Sequence, residues 1–251
     1  LALLEEAKAA AAGRTEADQA RLRMAAVTTA GERIVPLALR SFRAQYPTAE
    51  IVIEVGNRER VWNLLVHGEV DLAVGGRPPT ERGLVSMATR PHRLIVAAAH
   101  QHGAAAGSSG RRGWRMVTRN DLARATWLVR ETGSGTRATT DEVFGDLGLS
   151  PAVLTLGSNS AIRESVQIGL GITLISADAV AAELEGGTVE EWRYGPLPLE
   201  REWHLVARDG DILPAGARRL LHHLAREGAP EERFHLTPEG LRSGPPEGRR
   251  R

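Results

Sequence analysis

The turn at residues 130–137 carries residue types that bind anions, and it reads Arg-Glu-Thr-Gly-Ser-Gly-Thr-Arg. An apolar run precedes it and a helical pattern follows it, which predicts the end of a strand and the start of a helix. Glycines let the backbone approach a ligand, hydroxyls donate hydrogen bonds, and the first N–H groups of a helix carry partial positive charge. An arginine at either end adds a two-pronged donor for carboxylate or phosphate. The candidate ligand-binding residues here are Arg130, Gly133, Ser134, Gly135, Thr136 and Arg137.

Similar turns recur at the ends of other predicted strands, which favours a binding role over an ordinary strand-to-helix turn. They are Thr28-Thr29, Val55-Gly56-Asn57, Gly75-Gly76-Arg77 and Gly157-Ser158-Asn159. Ligands of parallel α/β folds bind outside the carboxyl ends of the strands. Because few of these turns carry an acid or a histidine, they favour an anion site over acid–base catalysis. The simpler alternative is helix capping, which applies to Thr28, Thr29, Asn57 and Ser158.

Composition excludes several kinds of site. The 251 residues have a net charge of +1, which gives no electrostatic footprint for nucleic acid. There is no cysteine, and the only lysine is Lys8, so thiolate metal sites and a P-loop or Schiff-base lysine in the core are excluded. At the 130–137 turn, an alternative to ligand binding by the arginines is that Glu131 simply pairs with Arg130 or Arg137. No apolar run is long enough to span a membrane, and nothing resembles a signal peptide.

Residues 22–74 follow the order strand, helix, strand, helix, strand, which predicts a parallel sheet with right-handed crossovers. Pro36 must lie in the first turn of its helix or kink it, which places the helix start near residue 33. Asn57 is a good N-cap for the second helix, and Gly68 is a good C-cap.

A second series of the same kind begins near residue 127. Before it we expect strands at 84–87 and 92–99 and an exposed loop at 100–113. Within it we expect a strand at 127–130, a helix at 135–147, a strand at 153–156, a helix at 159–168, a strand at 172–175 and a short helix at 178–185. A strand at 203–207 and a helix from Pro214 to Gly228 follow. Residues 229–251 are poor in apolar groups and are predicted to be a disordered tail.

Four segments, taken in order, resemble the effector-sensing region of LysR-type transcriptional regulators, over roughly residues 20–228. The first is 22–30 with Pro36 and 42–47, the second 64–74, the third 128–137, and the fourth 157–162 running on to 169–176. The third and fourth are most like the regulators of carbon-fixation operons.

The resemblance implies an α/β fold of two Rossmann-like lobes with a ligand cleft between them, like a type II periplasmic binding protein. Lobe I would comprise residues 21–93 and 208–228, and lobe II residues 94–207. Residues 1–20 would be the end of a linker helix and a connector. The chain does not begin with methionine, so we expect a preceding segment, and the family's N-terminal winged helix-turn-helix is absent here.

The family also implies a function and partners. A small anionic metabolite would bind between the lobes of a cytoplasmic homodimer or tetramer, without a cofactor or a membrane. DNA would be bound only through the missing N-terminal domain. The family's effector contacts match Thr28, Thr29, Asn57, the 133–136 turn, Ser158 and Asn159.

Two other classes of protein compete with this interpretation. An enzyme is disfavoured because Gly133-Ser134-Gly135 is not a nucleophile elbow and the histidines show no HExxH spacing. His100 and His102 are expected to be solvated rather than metal ligands. A free-standing solute-binding protein for a small anion shares the lobes, and only the linker-like helix at residues 1–12 argues against it.

Overall fold

A computed structural model describes residues 21–100, 113–226 and 233–243. These residues form two units. Unit 1 contains residues 21–56, 60–90, 203–226 and 233–243, and unit 2 contains residues 57–59, 91–100 and 113–202. Apart from the short visit of residues 57–59 to unit 2, the chain passes from one unit to the other within two long strands, near residues 90 and 202. The predicted linker helix at 1–12, most of the predicted loop at 100–113 and His102 lie outside the described residues.

Unit 1 is built on the predicted parallel sheet. Strand β1 (Arg21–Val27) pairs in parallel with β2 (Glu50–Gly56) and β3 (Leu72–Gly75), and β10 (Leu199–Arg208) pairs antiparallel with β3. The apolar strand residues alternate into a core with helix α1 (Val35–Gln45) and helix α7 (Ala215–Arg226). Helix α2 (Arg58–Val66) packs on the opposite face through Val61, Trp62 and Leu65.

The first helix of unit 1 begins earlier than Pro36 predicted. Helical backbone starts at Thr28, directly after β1, and runs through a π-helical turn at Ala30–Ile34 into α1. Proline has no N–H to donate and cannot follow a regular α-helical turn without a clash. The wider π-turn accommodates Pro36 at the start of α1, so the predicted start near residue 33 is wrong.

The two strands expected at 84–87 and 92–99 are one continuous strand, β4 (Leu84–Ala99). Pro91 did not break it, although proline usually marks a strand end. The strand continues because residues 88–89 pair with β11 (His235–Leu236) and residues 94–99 pair with β8 (Thr173–Ser176) and β9 (Val189–Arg193).

In unit 2, the second half of β4 pairs with β8 and β9. The buried side chains of this unit form two separate core clusters with its helices. Strand β5 (Trp114–Met116) pairs in parallel with β9, and β6 (Trp127–Val129) pairs in parallel with β7 (Val153–Thr155). The predicted helices are α4 (Gly135–Asp146) and α5 (Asn159–Gln167), and a 3-10 turn leads into α6 (Ala181–Glu185). Helix α3 (Arg119–Arg124) and strands β5 and β9 were not predicted. The helix α3 signal was Thr118-Arg119-Asn120-Asp121, which forms a capping box.

The prediction of a disordered tail at 229–251 is wrong for residues 233–243. They form β11 and a short helix, α8 (Pro238–Arg242), both in unit 1. Phe234 is only 1% exposed and belongs to the core of that unit. The Thr237 hydroxyl caps α8 and donates to the Ser86 carbonyl oxygen at 2.6 Å. The buried Phe234 ring and the hydrogen bonds of the Thr237 hydroxyl therefore hold in place a segment that its composition predicts to be disordered.

Candidate functional site

A tight turn after β6 starts helix α4 within unit 2. Ser134 N–H donates to the Glu131 carbonyl oxygen at 3.2 Å, and Gly133 has a φ of +88°. A positive φ at the third position of such a turn favours glycine. Gly135 is the first residue of α4, and a Cβ there would lie 3.2 Å from Arg58 Cδ. The sequence therefore placed this turn and its two glycines correctly.

The first turn of α4 presents two hydroxyls that make no hydrogen bond to any residue the structure describes. Ser134 is the N-cap residue, but its side chain does not cap the helix, and it is only 7% exposed. Thr136 is half-buried, and only its carbonyl oxygen is engaged, by the Thr140 hydroxyl at 2.8 Å. Since α4 has 12 residues, its N-terminal N–H groups carry a useful partial positive charge. Hydroxyls and N–H groups together form a neutral donor set for an anion.

Arg130 is buried and already bound on three of its nitrogens. Its Nε and Nη2 donate to the Glu131 carboxylate at 2.7 and 2.9 Å, and its Nη1 donates to Asn159 Oδ1. Arg130 is 7% exposed and the Glu131 side chain is 32% exposed. The pairing alternative for Glu131 is therefore the observed one.

Arg137 is paired as well, but with a different acid. Its Nε lies 2.9 Å from Asp141 Oδ2, one helical turn along α4, and its Nη1 donates to the Arg130 carbonyl oxygen at 3.3 Å. Both arginines of the motif therefore have carboxylate partners. The expected role of Arg130 and Arg137 as donors to an effector stays a prediction.

Asn57 follows β2 of unit 1 in the sequence, but it belongs to unit 2 and contacts the residues around Arg130. Residues 57–59 belong to unit 2, where Glu59 N–H donates to the Gly133 carbonyl oxygen at 3.3 Å. The Asn57 side chain hydrogen-bonds to the Glu131 carboxylate. Asn57, Glu131, Arg130 and Asn159 thus form one chain of polar contacts.

The Glu131 carboxyl group is held in its charged form. Burial opposes ionisation, but hydrogen bonds from Arg130, from its own backbone N–H and from Asn57, together with the charge of Arg130, lower its pKa below the ordinary glutamate value. The turn therefore carries a permanent negative charge beside its arginine near neutral pH.

The second strand-to-helix turn of unit 2 is capped conventionally. Ser158 Oγ accepts from Ala161 N–H at 3.4 Å and contacts Ser160 Oγ at 2.7 Å. Asn159, the first residue of α5, is 3% exposed and turns its amide oxygen toward Arg130. Capping thus explains Ser158, whereas Asn159 belongs to the polar cluster.

Thr28 and Thr29 lie in unit 1, at the carboxyl end of β1. The Thr28 hydroxyl donates to the Gly56 carbonyl oxygen at 3.3 Å. Thr29 is 7% exposed and leads into the π-helical turn. Their expected contacts with an effector stay a prediction.

Membrane-spanning helices and metal-binding clusters are both absent from the residues that the structure describes. Within 21–100, 113–226 and 233–243, no helix is long and apolar enough to cross a membrane. The same residues contain no cluster of three or more histidine or acidic side chains that could hold a metal ion. His100 is exposed, as expected, and its Nδ1 lies 3.2 Å from Glu190 Oε2.

Comparison with known proteins gives a consistent result. The family model of the LysR substrate binding domain matches residues 15–229. The HTH-type transcriptional regulator CbbR of Xanthobacter flavus is 37% identical over 229 residues, covering 90% of this chain and 66% of the relative. The regulator CfxR of Cupriavidus necator is 35% identical over 198 residues, covering 76% of this chain and 59% of the relative. This chain thus spans somewhat under two thirds of their length.

Solved structures share the fold. The regulatory domain of Synechocystis PCC6803 CcmR, in complex with 2-PG, has a TM-score of 0.72 and 28% identity, covering 81% of this chain and 94% of that one. A mutant of Corynebacterium glutamicum OxyR has a TM-score of 0.68 at 21% identity, covering 86% of this chain and 69% of that one. The second likeness concerns the fold alone.

Proposed function

Because this chain belongs to the LysR substrate-binding domain family, we propose that it senses a small anionic metabolite at the start of helix α4. The observation that carries this proposal is the pair of hydroxyls on Ser134 and Thr136, neither bonded to another described residue, beside the first N–H groups of a long helix. An anion gains from both kinds of donor without any reorganisation of the helix.

A phosphorylated carboxylate is the ligand class with the best support. The CcmR regulatory domain, 28% identical to this chain, was solved in complex with 2-PG. This ligand, 2-phosphoglycolate, carries one phosphate and one carboxylate. The phosphate would be bound by the α4 N-terminus with Ser134 and Thr136, and Asn57 and Asn159 would contribute amide groups.

In a protein as long as the CbbR and CfxR relatives, effector binding would control transcription. An N-terminal winged helix-turn-helix would bind DNA, and the domain described here would report the metabolite to it, in the cytoplasm. The two relatives are named transcriptional regulators, which favours this role over that of an enzyme or a free-standing solute-binding protein.

Self-association is the second element of the proposal. Unit 1 exposes Leu37 on the outer face of α1 (57%) and Val52 and Val55 on β2, and unit 2 exposes Ile168 (79%) and Leu170 after α5. Large apolar side chains that are exposed in one copy gain free energy when a second copy buries them. We place the homodimer contact at these surfaces.

A thermal-shift screen of anionic metabolites on this chain tests the sensing role. A ligand present at 100 times its Kd should add about 2.7 kcal/mol to the free energy of unfolding. We expect 2-phosphoglycolate or a related phosphate ester to raise the Tm. If no phosphate ester or dicarboxylate at millimolar concentration does so, the proposal is wrong.

A further inference from the structure

Arg130 of the candidate site already binds a carboxylate of the protein itself, that of Glu131. The Glu131 carboxylate contacts Arg130 through both oxygens, at 2.7 and 2.9 Å. This side-on arrangement is the one in which arginine binds the carboxylate or phosphate group of a ligand. An effector that approaches Arg130 therefore meets a guanidinium whose three nitrogens already donate hydrogen bonds.

The pairing of two consecutive residues depends on the local backbone. In a strand, side chains of neighbouring residues point to opposite faces. Strand β6 ends at Val129, and the turn closed by the Ser134 N–H begins at Glu131. The extended conformation therefore ends before Glu131, which allows the Glu131 side chain to turn back onto Arg130.

The two partners differ in their freedom to move. Arg130 is 7% exposed and is also held by Asn159, whereas the Glu131 side chain is 32% exposed. A ligand could therefore take the place of the Glu131 carboxylate while Arg130 stays where it is. Displacement would also break the hydrogen bond from Asn57, and water would replace these donors because the Glu131 carboxylate is already partly exposed.

We propose that Glu131 is an internal competitor of the effector: its carboxylate occupies Arg130 in the ligand-free domain and is displaced when an anion binds. This inference rests on the proposed function and adds the residue that sets the affinity of the site. The competing carboxylate raises the ligand concentration at which the sensor responds. It also favours ligands with two negative groups, since one must bind Arg130 while the other takes the donors of α4.

The test compares anion binding to the wild-type chain, to Glu131→Gln and to Glu131→Ala by titration calorimetry with 2-phosphoglycolate and with inorganic phosphate. Both variants remove the competing charge, so we expect affinity to rise about tenfold or more, the range expected for hydrogen bonds to a charged group. The matched control is Glu59→Gln. Glu59 is exposed and lies beside Gly133, but it has no ion pair with Arg130 among the described contacts.

Each outcome decides the matter. Tighter binding in both Glu131 variants, with Glu59→Gln within about threefold of wild type, supports the competitor role. Equal tightening in all three variants would show a general charge effect and overturn it. Unchanged or weaker binding in the Glu131 variants, with a wild-type chain that binds, would make the pair purely structural and leave the proposed function standing. No binding by any chain would overturn the proposed function as well.

Discussion

The backbone N–H of Phe234 donates to the carbonyl oxygen of Leu224 at 3.0 Å, which fixes the C-terminal segment against the last turn of α7. Phe234 is 1% exposed and Leu224 is 8% exposed, and both belong to the core of unit 1. A segment that composition assigns to a tail is therefore part of the fold.

Removing the Phe234 ring should destabilise unit 1. Phe234→Ala leaves a cavity in a packed core, and we expect a loss of about 3–5 kcal/mol in the free energy of unfolding, measured by urea denaturation. Leu241→Ala is the control, because Leu241 is 65% exposed in the same segment; it should change stability by about 0.5 kcal/mol or less. Two equally small effects would mean that the segment contributes nothing to the folded state.

Two glycines of unit 2 should respond to alanine in opposite directions. At Gly171 a Cβ would clash with the backbone carbonyl oxygen of Thr126 and lie 3.1 Å from Leu128 Cγ, so Gly171→Ala should cost about 1–3 kcal/mol. At Gly145, inside α4, a Cβ would meet nothing within 4 Å. Gly145→Ala should therefore gain about 0.5–1 kcal/mol through helix propensity. Thermal denaturation would check both, and a destabilised Gly145→Ala together with a neutral Gly171→Ala would contradict this packing.

His222 should make stability fall as the pH is lowered. Burial, aided by the charges of Arg226 and Arg218, lowers its pKa below the ordinary histidine value. The unfolded chain therefore binds more protons as the pH falls below about 6.5, so stability is complete above that pH and decreases toward the folded-state pKa. His222→Gln should flatten the dependence between about pH 7.5 and pH 5.5, measured by urea denaturation.

An NMR titration in which His222 protonates above about 6.5 would contradict the expectation directly.

The proposed homodimer should depend on the outer face of α1. We expect the wild-type chain to sediment as a dimer at tens of micromolar and Leu37→Glu to sediment as a monomer, since a buried unpaired charge opposes association. Ile212→Glu is the matched control: Ile212 is 90% exposed but lies outside α1 and β2. A monomeric wild-type chain, or a dimer that survives Leu37→Glu, would place the interface elsewhere.

Sequence reasoning succeeded where a local pattern settles the structure. Gly133 and Gly135 marked the turn before α4, and the two strand-helix series were found because apolar periodicity and glycine stops are local signals. It failed where long-range pairing settles it: the two strands expected at 84–87 and 92–99 are one strand, β4, and Phe234 packs onto residues far away along the chain.

In the candidate site, too, local patterns were predicted from the sequence and long-range contacts were not. The sequence supplied the anion-binding residue types, but charge pairing depends on side-chain geometry. Glu131 could have paired with either arginine, and only the fold shows that it pairs with Arg130 while Arg137 takes Asp141. The membership of Asn57 in unit 2 likewise required the contact of residues 57–59 with Gly133.

Titration calorimetry with 2-phosphoglycolate on the wild-type chain, Ser134→Ala and Thr136→Val tests the central claim most directly, with Thr29→Val beside them for the predicted contact in unit 1. Thr139→Val is the matched control, since its hydroxyl already donates to the Gly135 carbonyl oxygen at 3.2 Å within α4. We predict that Ser134→Ala and Thr136→Val each weaken binding by about 1–3 kcal/mol and that Thr139→Val does not. Unchanged affinity in Ser134→Ala, Thr136→Val and Thr29→Val would show that the anion binds elsewhere.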